Sequence, residues 1–131
     1  MKSQLEEFFG ETVFSYTREQ AIKDGVLVDA SASAIEFGFK VPVAITSAVW
    51  IDCVSWDNNT QAMYQDESGR LADVLWMCYL AAQKTEGNQC LFTVYRISKG
   101  AAEPTAIKLK SIVSGGDDGE PVLTIMLPEE D

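Results

Sequence analysis

The chain has 131 residues, 47% apolar and 23% charged, enough for one domain with its own core. Twenty acids against ten bases leave a formal net charge of −10, which disfavours direct binding to nucleic-acid phosphates and to anionic membranes. There is no histidine, which excludes the Ser-His-Asp and Cys-His arrangements, imidazole zinc sites and the usual neutral-pH acid/base.

Residues 3–9 (SQLEEFF) predict a short helix with Ser3 and Glu6 at capping-box spacing and Gly10 as its stop. YTREQAIKDG (16–25) predicts a second helix: Thr17 caps, Gln20 completes the box, and Gly25 ends it. VLVD (26–29) reads as a short strand, and SASAIEFG (31–38) as a short helix closed by Gly38. Pro42 keeps FKVPVAIT (39–46) extended, because the residue before a proline is pushed out of the helical region. Thr46 or Ser47 then caps a helix over 48–56, with Val49, Trp50, Cys53 and Val54 on one face. DNNTQ (57–61) is turn chemistry.

The clearest element is SGRLADVLWMCYLAAQK (68–84). Leu71, Val74, Leu75, Cys78, Ala81 and Ala82 keep helical spacing, while Trp76, Met77, Tyr79 and Leu80 make the other side apolar too. A helix apolar nearly all round predicts a buried central position for 69–84, with Ser68 as its cap and Asp66 and Glu67 at the positive end of its dipole. Three alternating strands follow, at 89–98, 105–113 and 121–127. In the middle one, Ile107, Leu109, Ser111 and Val113 face the helix, and Lys108 and Lys110 face outward toward neighbouring acids. The predicted fold is therefore α+β over 1–131. It is an antiparallel sheet of three or more strands, packed against the buried central helix (69–84) and smaller N-terminal helices.

No apolar run is long enough to span a bilayer. The first residues carry acids where a signal peptide needs an apolar core. Cys53, Cys78 and Cys90 are odd in number and lack a C-x-x-C pair. These features together predict a cytoplasmic protein with buried, inert thiols, and Trp50, Trp56 and Trp76 read as core aromatics.

SGGDDGE (114–120) lies between two strands, and Gly and Asp there read first as a hairpin turn. Asp117, Asp118 and Glu120 are hard oxygen donors, but their spacing fails the EF-hand pattern, so no metal is expected. There is no P-loop and no G-x-G-x-x-G, and no cofactor is expected. In YQDESGR (64–70), Tyr64, Asp66, Glu67, Ser68 and Arg70 read as cap and dipole chemistry with Arg70 pairing to a nearby carboxylate, and a polar recognition patch is the functional alternative.

REQAIKDGVLVD, FKVPVAITSAVWIDCV, YQDESGRLADVLWM and DDGEPVLTIMLPEED resemble stretches of an uncharacterised family of small acidic bacterial proteins, found on phages, plasmids and other mobile elements. The resemblance runs from about Phe9 to Asp131 and implies no catalytic residue and no cofactor. It implies a mobile-element setting, in which small acidic proteins disable host defences, sometimes by imitating the charge of DNA.

The functional expectation is a non-enzymatic accessory protein that binds a basic, nucleic-acid-binding host protein. Its candidate surface comprises Asp66, Glu67, Arg70, Asp117, Asp118, Glu120, Glu129, Glu130 and Asp131. The alternatives are a small-molecule-binding module or carboxylate-based enzyme, and a structural or assembly subunit. Self-association is open in each case.

Overall fold

The structure is a computed structural model and describes residues 16–56 and 66–130. The expected helix at 3–9, the turn at 57–61, Tyr64 and Asp131 lie outside the described residues.

Helix α1 is Arg18–Asp24, strand β1 Leu27–Asp29, helix α2 Ser31–Glu36 and strand β2 Val43–Thr46. A single helical turn, α3 (Ser47–Val49), runs straight into a wide π-helical turn at Trp50–Val54. The long helix α4 is Glu67–Gln83, followed by β3 (Gln89–Arg96), β4 (Thr105–Gly115) and β5 (Pro121–Met126). The five strands form one sheet in the order β1-β2-β5-β4-β3. Only β2 and β5 run parallel; every other neighbour is antiparallel. The α+β expectation and the 89–127 meander hold, and two N-terminal strands extend the meander beyond β5.

Local chemistry explains the short elements. The Thr17 hydroxyl accepts from the Gln20 amide at 3.0 Å, and Gly25 ends α1 in the left-handed region at φ 82°. The Gln20 side-chain amide donates forward to Asp24 at 2.9 Å, and among the described residues no bond from the Thr17 amide to Gln20 closes the capping box. Thr46, one of the two predicted caps, begins α3. The predicted 48–56 helix widens after Val49: Ser55 donates to the Trp50 carbonyl at 2.8 Å, closing a five-residue turn. Val49, Cys53 and Val54 of the predicted face are fully buried, whereas Trp50 is half-buried.

The main core lies on one face of the sheet. Val74, Leu75 and Cys78 of α4 pack with Phe92 and Val94 of β3, Leu109 of β4, Leu123 and Ile125 of β5, and Val43 and Ile45 of β2. Ala34 and Phe39, from α2 and the segment after it, complete that layer. On the opposite face, Arg18 of α1 donates to the Thr124 hydroxyl at 2.7 Å and to the Leu123 carbonyl at 2.9 Å. Strand β5 is therefore covered on both sides, and Val122 to Met126 are buried without alternation.

Three expectations are corrected. Asp66, not Ser68, caps α4, its carboxylate accepting from the Gly69 amide at 2.7 Å. Asp66 has the extended backbone a cap requires, while Ser68 already lies inside the helix. The helix is not buried all round: Trp76 is 45% and Met77 37% exposed, because the sheet covers only one of its faces. Lys110 is buried, and it satisfies its ammonium on the carbonyls of Pro128 (3.1 Å) and Glu130 (2.8 Å) rather than on carboxylates.

Candidate interaction surface

The predicted acidic residues fall in three separate places, and most have a local partner. Asp66 is the cap just described, and the Glu67 carboxylate accepts from the Trp56 amide at 3.4 Å. Arg70 is buried: it donates to the carbonyls of Val54 (3.0 Å), Ile97 (2.8 Å) and Asp52 (3.3 Å), with its guanidinium 4.7 Å above the Trp56 ring. Beside it Arg96 pairs with Asp52 at 2.9 Å. These bonds tie the π-turn to the start of α4 and the end of β3. Burial pushes the neighbouring Cys53 thiol up to about 11, which removes it as a nucleophile at neutral pH.

Asp117, Asp118 and Glu120 sit in the β4–β5 hairpin. The Gly119 amide donates to the Gly116 carbonyl, the Gly116 amide donates to the Glu120 carbonyl, and Gly119 has φ 85°. This is a three-residue loop with a left-handed glycine, one of the common hairpin geometries. Asp117 reaches across to α1 and accepts from the amides of Arg18 (2.7 Å) and Glu19 (3.0 Å). The Glu120 carboxylate folds back over the turn, accepting from the Asp118 amide at 3.0 Å. Burial lowers the pKa of Arg18, and the carboxylates of Asp29, Asp117 and Glu120 partly offset this.

The tail is the third place. Glu129 is exposed, while the Glu130 carboxylate accepts from the Thr46 hydroxyl and the Leu127 amide, both at 2.8 Å. The hairpin and the start of α4 stand at opposite ends of β4, because Arg96 pairs with Thr105 and Gly115 with Pro121. Ten residue steps at ~3.3 Å separate them by about 33 Å. The acids thus act locally as caps and turn ligands, and do not form one continuous patch.

An aromatic ladder beside α4 has no counterpart among the residues predicted as a functional surface. Phe39 is buried and meets Tyr79 edge-on, with centroids 5.4 Å apart at 74°. Tyr79 stacks on Trp76 at 6.0 Å and 15°, and Trp76 tilts against Phe37 at 6.1 Å. Gly38 makes this approach possible. It has φ +104°, and a Cβ there would lie 3.0 Å from the Tyr79 hydroxyl oxygen. The ladder runs from the core out to Trp76, and the elements that carry it also expose Ile35 (68%), on α2, and Met77, on α4.

The exposed carboxylates Glu36 and Asp73 belong to the same two elements: Glu36 follows Ile35, and Asp73 is one turn before Trp76 and Met77. Next to Ile35, an open groove of about 490 Å³ is lined by Ser31, Gly38, Phe39, Lys40, Val41 and Pro42. A helix apolar on two sides needs two covering layers, and among the described residues one sheet packs against it.

A family model described as a family of unknown function (DUF6573) matches residues 5–131. Comparison with curated proteins and with solved structures found no match in either. Among the described residues, no helix is long and apolar enough to cross a membrane.

Proposed function

Because the chain belongs to this family of unknown function, we propose its role from its surface chemistry: it is a non-enzymatic binding protein that docks onto another protein through the Trp76 ladder. The single observation behind this reading is a half-exposed tryptophan held in place by a stacked tyrosine. Trp and Tyr dominate the energetics of protein interfaces, and a side chain ordered beforehand loses little entropy on binding. The flanking Glu36 and Asp73, together with the net charge of −10, favour a partner with an apolar pocket rimmed by Lys and Arg.

In its fuller form the reading is that of a mobile-element accessory protein which engages a basic, nucleic-acid-binding host protein and opposes host defence. The support for that form is the resemblance of the sequence and the acidic excess. A structural subunit is the second reading, since exposed apolar patches also mark assembly surfaces.

The test is affinity capture followed by titration of the captured protein against wild type and Trp76→Ala. Truncation of a central tryptophan should weaken binding by about 2 kcal/mol or more, roughly thirty-fold, at both low and high salt. Higher salt alone should slow association without abolishing it. A partner held equally well by Trp76→Ala sinks the proposal. Capture of no protein but the chain itself, lost on Trp76→Ala, supports the second reading.

A further inference from the structure

Strand β3 closes the sheet, and among the described residues no strand pairs with its free edge. Natural edge strands are blunted by shortness, Lys, Pro or a bulge. The other edge, β1, has three residues. β3 has eight, with neither Lys nor Pro, and its register with β4 is unbroken from Gln89 to Arg96.

One bond tells which backbone groups face outward. The Val113 amide donates to the Asn88 carbonyl at 2.8 Å, so Asn88 points its backbone at β4. By alternation, Gln89, Leu91, Thr93 and Tyr95 point their N–H and C=O groups at the open edge. Leu91 and Tyr95 are 55% and 66% exposed. From Asn88 to Ala102 the chain carries no carboxylate, although it has twenty acids in all. The charge of Arg96, within that stretch, is met by Asp52.

We infer that β3 pairs antiparallel with β3 of a second copy of this chain, about a two-fold axis at Thr93. In that register Thr93 faces itself, Leu91 faces Tyr95, and Phe92 faces Val94. The residues brought opposite one another at hydrogen-bonded positions are Leu91, Thr93 and Tyr95, the ones whose backbone groups point outward. An isologous contact requires this self-complementarity. The acid-free strip is also where two copies of charge −10 meet with least repulsion.

Sedimentation of the full chain over a range of concentrations, at low and high salt, reads the association. Amide exchange reads the register. A dimer is expected in which the Leu91, Thr93 and Tyr95 amides are protected. Thr93→Pro removes an outward-facing N–H, an edge-strand setting in which proline spares the ladder with β4, and should yield a monomer. Leu91→Lys combined with Tyr95→Lys sets like charges face to face across the axis and should do the same with unchanged circular dichroism.

A wild-type monomer throughout the micromolar range overturns the inference, including one that binds an extended peptide along β3. So does a dimer that survives the double-lysine change, or one in which the three amides exchange freely.

Discussion

Asp117 caps a helix 99 residues away: its Oδ1 accepts from the backbone amide of Arg18 at 2.7 Å. Its Oδ2 takes the Glu19 amide at 3.0 Å, so one hairpin carboxylate satisfies two of the unpaired donors that begin α1. Arg18 completes the attachment from the other direction by donating into β5. The contact carries the position of α1, and with it the cover over the outer side of β5.

Asp117→Ala should therefore lower stability by about 1 kcal/mol, as loss of a helix cap does. The neighbouring Asp118→Ala should move it by no more than about 0.5 kcal/mol, because that side chain is exposed on the turn. Urea denaturation of the two variants measures the contrast. Equal effects would mean that Asp117 contributes surface charge and nothing more.

Arg70 is the second test, since its donors hold the carbonyls of Val54, Ile97 and Asp52 together. Arg70→Met leaves buried acceptors without that donor and should cost about 2–4 kcal/mol. Arg70→Lys should rescue little, because one ammonium cannot reproduce the planar fork or the contact with the Trp56 face. Denaturant midpoints decide it. A lysine variant as stable as wild type would place the role of Arg70 in its charge alone.

The buried thiols predict an alkaline weakness. Burial pushes Cys53 up to about 11 and Cys78 up to about 12, whereas an unfolded thiol titrates near about 8.5. Above that value the folded chain holds protons that the unfolded chain has released. The stabilisation is thus complete below about pH 8.5 and is lost as pH rises through the folded values. Each thiol should contribute a slope of about 1.4 kcal/mol per pH unit in that window. Unfolding free energy measured at rising pH should fall, and Cys78→Ala should flatten the fall. A variant with the wild-type slope would exclude Cys78 as its source.

Much of the fold could be read from local pattern. The turn chemistry of Gly25, the caps Thr17 and Thr46, and the alternation of three strands are short-range signals, and each found its counterpart; of the predicted face Val49, Trp50, Cys53 and Val54, all but Trp50 are fully buried. The site was less legible. Charge alone groups Asp66, Asp117 and Glu130, and the fold places each carboxylate on a different nearby donor. A helix apolar on both sides predicts Trp76 in the core, yet the sheet covers only the Val74, Leu75 and Cys78 side.

By itself the sequence determined most of the described elements, the α+β class, the absence of imidazole chemistry and the acidic excess, because periodicity, capping and composition act over a few residues or over none. Only the tertiary structure decided that β5 enters between β2 and β4, that Lys110 is buried, and that Trp76 and the β3 edge face outward. Burial depends on how many layers reach a given side chain, and that number is set by pairings between distant segments.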